Sequence, residues 1–157
     1  MLNTTTCASA INVAMDSYIA SYPSGNFSSA FVSAYKAYSQ AGVLSAGGGV
    51  AGTENDSILT SFFNSFSSST TDSAFGQALA DYWATCMLTP SAGSVSVVNN
   101  ASSKAGAFTA AISASYTTSS STPYYKVLLD NIQSVVSTIQ WTCTKVSPIP
   151  PTVETIS

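Results

Sequence analysis

The sequence predicts an all-α fold: a single compact bundle of five to six amphipathic helices with Ser- and Gly-rich loops and an extended, proline-containing C-terminal arm. Two observations predict it. Apolar residues recur at spacings of three and four in six segments, which is the period of a helix with one buried face. Stretches rich in Ser, Gly and Pro separate these segments. We expect residues 1–146 to form the bundle and residues 147–157 to form the arm.

The first three helices are predicted from periodicity and from the residues at their ends. The first covers Thr6–Tyr22 and ends at Pro23-Ser24-Gly25. The second covers Phe27–Gln40. The third carries the apolar stripe Ile58–Phe66 and is preceded by Thr53-Glu54-Asn55-Asp56, a capping pattern in which Thr53 is the N-cap.

The last three helices are followed by the arm. The fourth is expected over Asp72–Leu88, the fifth over Ser102–Tyr116, and the sixth from Pro123 to about Ile139, with Pro at the favoured first position. In the linker before the fifth helix, Val95–Val98 has the composition of a short strand, but the sequence suggests no partner for it. The proline-rich tail after the sixth helix is incompatible with a helix and is expected to be extended.

The scarcity of charged side chains limits the chemistry open to this chain. Among 157 residues there is no His and no Arg, and there are four Lys and seven acidic residues, whereas Ser occurs 30 times and Thr 18 times. Without imidazole the chain lacks the commonest general base and metal ligand. Without guanidinium it lacks the bidentate clamp for phosphate. We therefore expect no catalysis, no cofactor and no metal.

Charge also argues against nucleic acids and membranes as partners. The four lysines are scattered and form no basic patch, which binding to a phosphate backbone requires. No stretch approaches the ~20 apolar residues of a membrane-spanning helix. The N-terminus has no basic region followed by an apolar one, so no signal peptide is recognisable.

The three cysteines, Cys7, Cys86 and Cys143, are expected at one end of a bundle whose helices alternate in direction. A disulfide between Cys86 and Cys143 would close a loop of about 57 residues and stabilise the chain by roughly 3–4 kcal/mol. The alternative is three buried thiols that pack as small apolar groups. A metal site and a catalytic thiol both lack the histidine that they usually need.

The acidic residues are expected to serve the helices rather than catalysis. Asp56 and Asp72 stand where the starts of helices favour negative charge. Asp16, Asp81 and Asp130 are expected on solvated faces.

The composition favours assembly as the function. Charged residues make up 7% of the chain, against about 25% in typical domains, and a weakly charged surface favours association. We expect a subunit of a large complex, such as a capsid or minor capsid protein of a virion or an extracellular filament subunit, whose partners are other protein subunits. The arm would lie across a neighbouring subunit. Its contact residues are predicted to be Pro148, Ile149, Pro150, Pro151, Val153 and Ile156.

The alternative is a secreted helical binding or effector module. Such a module would carry a small apolar ligand inside its bundle. The sequence predicts that a cavity of this kind would be lined by Phe31, Phe62, Phe75 and Phe108.

Overall fold

A computed structural model of the chain describes residues 2–20, 27–43, 54–67, 69–86, 94–116, 123–145 and 148–156. These residues are mostly helical, which confirms the predicted helical class. A 3₁₀ turn at Ala101–Lys104 leads directly into the fifth helix. The six α-helices of the described residues are α1 (Thr4–Ala20), α2 (Phe27–Gln40), α3 (Asp56–Asn64), α4 (Asp72–Thr85), α5 (Ala105–Ser115) and α6 (Tyr124–Val136).

Several helix ends differ from the prediction by a few residues, and three of these differences involve a cap or a buried residue. The N-cap of α3 is Asn55, whose side chain accepts a hydrogen bond from the Ser57 N–H, so the predicted cap at Thr53 is wrong. Helix α4 ends at Thr85 instead of Leu88 because Cys86 adopts an extended backbone. Helix α6 ends at Val136, and Ile139 is buried beyond the helix.

The prediction of an all-α fold is wrong in one respect, because the chain also forms a small antiparallel sheet. Strands β1 (Ser94–Asn99), β2 (Trp141–Lys145) and β3 (Thr152–Glu154) lie in the order β1-β2-β3. The stretch Val95–Val98 thus finds its partner in β2, more than 40 residues later in the chain. In β2 the side chains of Trp141 and Cys143 are buried and the threonines between and after them are more exposed, the two-residue alternation of a half-buried strand.

The six helices form a closed ring. Each packs against the next helix in the chain, and α6 packs against α1. Consecutive helices run in opposite directions, as the contacts between α2 and α3 show. Ser28, at the start of α2, bonds to Asn64 at the end of α3, while Lys36, near the end of α2, contacts Asp56 at the start of α3. The C-terminal ends of α1, α3 and α5 and the N-terminal ends of α2, α4 and α6 therefore share one end of the ring.

The sheet docks on the C-terminal end of α4. Trp141 of β2 contacts Trp83 of α4 edge to face, with ring centroids 6.4 Å apart, and the Asn99 amide donates to the Trp83 carbonyl over 3.0 Å. Trp83 in turn donates its indole N–H to the buried Tyr35 hydroxyl over 2.9 Å. These aromatic groups form a hydrogen-bonded core where the sheet meets the ring.

In the part of the chain that the structure describes, no helix is both long enough and apolar enough to cross a membrane.

Candidate functional site

A cavity of about 570 Å³ opens at one end of the ring, and its wall is formed by five of the helices and by Tyr116, the residue that caps α5. Its lining residues lie near the C-terminal ends of α1, α3 and α5 and near the N-terminal ends of α2, α4 and α6. Alternation of helix direction brings these six ends together. The cavity therefore lies at the end of the ring where α1, α3 and α5 end and α2, α4 and α6 begin.

Phenylalanine rings form the inner wall of the cavity. Phe31 of α2 lies 4.4 Å from Phe63 of α3 between ring centroids. Phe62 of α3 stacks on Phe75 of α4 with centroids 4.8 Å apart and planes inclined by 9°. Phe27 meets Phe63 edge to face at 6.0 Å. Each of these rings packs against at least one other, so the wall presents an almost continuous aromatic surface.

The rim of the cavity carries tyrosines. Tyr116, which follows α5, stacks on Tyr124 of α6 with centroids 5.9 Å apart and an interplanar angle of 12°. The Tyr116 hydroxyl donates to Asp72 Oδ1 over 3.1 Å, and Ser113 donates to Asp72 Oδ2 over 2.6 Å. Loss of hydration raises the pKa of Tyr116 and of Tyr124, so both remain neutral phenols near pH 7.

Polar atoms are sparse in the wall. Ser28 Oγ donates to Asn64 Oδ1 over 2.9 Å, which leaves the amide N–H₂ as the group that Asn64 can offer to a ligand. Among the described residues that line the cavity, none is an Asp, Glu or Lys. A charged group would be desolvated at the inner wall without an opposite charge, so this part of the cavity suits neutral, apolar chemistry.

Three of the four phenylalanines predicted to line a cavity do so, namely Phe31, Phe62 and Phe75. Phe108 does not line it, because α5 directs its side chain into the core, where it is fully buried. The prediction missed Phe63 and the stacked tyrosine pair. A signal for them was present: aromatic residues recur at those helix ends which alternation of direction brings together.

A second depression, of about 590 Å³, lies between the N-terminal residues and α6. Its lining is mostly polar and includes Asn3, Thr4, Asp130 and Gln133. Thr4 Oγ1 donates to Asp130 Oδ1 over 2.6 Å, so these groups already satisfy each other. This depression is a hydrated surface that offers little apolar area to a ligand.

The three cysteines are buried free thiols in the structure, which is the alternative that the sequence left open to a Cys86–Cys143 disulfide. Burial raises the pKa of Cys7 to about 12 and raises the pKa of Cys86. For Cys143, burial and the adjacent Glu154 carboxylate both raise the thiol pKa. A nucleophilic cysteine needs the opposite shift. Within the described residues, no three Cys, Asp or Glu side chains gather into a metal site.

The residues predicted as an assembly arm fold back on their own chain. Val153 lies in β3, paired with Thr142, and its side chain is exposed. Ile156 is buried against Gly42, where a β-carbon would clash with the isoleucine side chain. Between them, Glu154 is buried beside Cys143. Pro148, Ile149, Pro150 and Pro151 are exposed.

The acidic residues for which the sequence predicted a role can be located in the structure. Asp56 and Asp72 lie in the first turns of α3 and α4, as the sequence predicted. Asp130 is paired with Lys126 at 2.6 Å. Glu54, which the sequence placed with Asp56 at the start of α3, is buried and accepts a hydrogen bond from Gln40.

Comparison with known proteins finds no relative of this chain. No family model matches it, and neither the curated proteins nor the solved structures give a match.

Proposed function

We propose that the protein is a non-catalytic helical module that binds a small apolar ligand in the cavity of its ring. The observation that supports this function is the aromatic cavity of about 570 Å³, which is lined by residues at or next to one end of every helix in the ring. Sites for small molecules are typically concave, about 300–1,000 Å³ in volume, and lined by apolar side chains with a few polar groups. The cavity matches this description in size and in lining.

The wall supports binding by burial of apolar surface. A ligand that enters exchanges contact with water for contact with phenylalanine rings, which stabilises the complex by about 25 cal/mol for each Å² of apolar area removed from water. The stacked rings already hold one another in place, so little side-chain freedom is lost on binding.

Fluorescence titration with N-phenyl-1-naphthylamine tests this function, because this neutral, apolar probe emits strongly once it leaves water. At about 0.3 kcal/mol for each of its roughly 17 non-hydrogen atoms, one probe per chain is expected to bind with a Kd on the order of 0.1 mM or tighter.

A matched pair of variants locates the probe. Phe66 and Val13 are each 65% exposed, but only Phe66 lines the cavity. Phe66→Ser is expected to weaken binding about 3- to 10-fold, the equivalent of roughly 1 kcal/mol of lost contact. Val13→Ser is expected to leave binding unchanged. Titration without saturation, or equal effects of the two substitutions, contradicts the function.

A second function, assembly, is supported by the outer face of the sheet. Val98 and Val153 are 64% and 59% exposed and lie on either side of Thr142, with which both pair. Strands β1 and β3 are the two edges of the described sheet, and open edges can template pairing with other chains. We propose on this basis that copies of the chain associate through the sheet, as subunits of a virion or of an extracellular filament.

Sedimentation velocity over a range of concentrations tests assembly. Val153→Lys places a charge on the sheet face and is expected to abolish association, because the charge would have to be desolvated in the contact. Val13→Lys adds the same charge to an equally exposed position on α1 and is expected to leave association intact. A wild-type chain that sediments as a monomer at every concentration rules assembly out.

A further inference from the structure

The rim of the cavity differs in chemistry from its inner wall. The inner wall is phenylalanine, whereas the rim combines two exposed tyrosine faces with one carboxylate. Tyr116 is 61% exposed and Tyr124 is 41% exposed. Asp72 accepts hydrogen bonds from both Tyr116 and Ser113. A phenol that donates to a carboxylate becomes richer in electrons, which makes its ring face more negative.

From this arrangement we infer that the ligand is a cationic amphiphile, whose ammonium head group rests on the Tyr116–Tyr124 pair beside Asp72 while its apolar tail occupies the phenylalanine-lined interior. The inference rests on the proposed binding function and specifies its ligand class. Ammonium groups are attracted to the faces of aromatic rings, most strongly where water is partly excluded. The carboxylate supplies the opposite charge at the same place.

Charges around the rim agree with this assignment. Among the described residues that line the cavity, none carries a charge near pH 7. The lysine nearest in sequence, Lys126, is held by Asp130 at 2.6 Å, and that pair is neutral overall. An anionic head group at the rim would face the Asp72 carboxylate, and no described lysine lines the cavity to pair with it.

A competition experiment tests the inference. Three probes with the same octyl tail displace N-phenyl-1-naphthylamine, each at concentrations where it is fully dissolved as single molecules: octyltrimethylammonium, 1-octanol and octyl sulfate. The cation is expected to bind about 2- to 30-fold more tightly than octanol, the range that contact with an aromatic face supplies. Octyl sulfate is expected to bind most weakly.

Two substitutions on α4 distinguish a direct effect of the rim carboxylate from an effect of the protein's net charge. Asp72→Asn removes the rim charge but keeps the acceptor oxygen, and it is expected to weaken binding of octyltrimethylammonium several-fold while leaving it tighter than octanol, because the tyrosine faces remain. Asp81→Asn removes the same charge about 13 Å further along the helix, at a residue that bonds to Gln77, and is expected to leave the cation's affinity unchanged.

The outcomes distinguish the inference from the function on which it rests. If the three probes bind equally, if octyl sulfate binds best, or if the two Asp→Asn variants behave alike, the inference is overturned and the apolar cavity function stands. If neither N-phenyl-1-naphthylamine nor any octyl probe binds, both are overturned.

Discussion

Two glycines show at the residue scale how closely parts of the ring approach each other. A β-carbon on Gly76 of α4 would lie 2.8 Å from the backbone nitrogen of Thr109 and 2.9 Å from the carbonyl oxygen of Ala105, both in α5. Backbone atoms yield less readily than the ends of side chains, so Gly76 fixes the separation of these two helices. On α5 itself, a β-carbon on Gly106 would meet nothing within 4 Å.

Alanine substitutions at the two glycines should therefore have opposite effects. Gly76→Ala is expected to lower the free energy of unfolding by roughly 1–3 kcal/mol, because it forces α4 and α5 apart. Gly106→Ala is expected to raise it by about 0.5–1 kcal/mol, since alanine favours the helix and there is room for its methyl group. Urea unfolding measures both. An unchanged stability of Gly76→Ala would contradict the close approach of α4 and α5. A loss of stability in Gly106→Ala would contradict the open space beside Gly106.

Thiol reactivity is a second prediction at this scale. Cys7, Cys86 and Cys143 are buried, and the pKa of each is raised, so the folded protein should not react with Ellman's reagent at pH 8. In denaturant without reductant, three thiols per chain are expected. One thiol per chain would show instead that two cysteines form a disulfide, and fast reaction of the native protein would show that a thiol is exposed.

At the scale of elements, helices were predictable because their signal is local. The spacing of Leu128, Leu129 and Ile132 indicates the buried face of α6 without reference to the rest of the chain, and all three are buried. The sheet was not predictable in the same way. Val97 pairs with Cys143, and no local pattern in either strand identifies the other. The arm was predicted as extended, but the pairing of β3 with β2 depends on the same long-range information.

The cavity was predictable from the sequence only in part. Phe31, Phe62 and Phe75 were predicted from helical faces together with the assumption of a bundle. The tyrosine rim depends on which helix ends meet, and therefore on the whole ring. Tyr116 lies just past the end of α5, where its contact with Tyr124 depends on the direction of α6.

The contact of the C-terminal arm with the rest of its own chain should contribute to the stability of the fold. Ile156 is 2% exposed, so Ile156→Ala is expected to lower the free energy of unfolding by roughly 2–4 kcal/mol. Val153, in the adjacent strand, is 59% exposed, and Val153→Ala should change stability by less than about 0.5 kcal/mol. Thermal or urea unfolding of dilute protein gives both values. An Ile156→Ala variant as stable as wild type would indicate that the arm leaves its own ring, as a contact with a neighbouring subunit requires.

At the scale of the whole molecule, the buried phenols and thiols govern the response to alkali. Burial raises the pKa of Cys7 from 9.0 to about 12 and raises the pKa values of Tyr38 and Tyr82. Above about pH 9 the unfolded chain loses these protons while the folded chain keeps them, so the folded state binds more protons and its stability falls as pH rises.

We therefore expect the urea midpoint to stay level from about pH 7 to 8.5 and to fall steadily between about pH 9 and 12. Cys7→Ala should reduce the slope of this fall, because one of the contributing groups is removed, while Tyr38 and Tyr82 still contribute. A midpoint that is constant to pH 11 would mean that these groups are hydrated in the folded protein.

The ring accounts for the proposed function as a whole: helices that alternate in direction bring six aromatic helix ends together around one cavity. The most direct test is an isotope-filtered NOE measurement on labelled protein with unlabelled N-phenyl-1-naphthylamine bound. We predict contacts from the probe to the side chains of Phe62, Phe75 and Leu128, which line the cavity on three different helices. Contacts to Val98 and Val153 on the outer face of the sheet, with none to the cavity, would contradict the account.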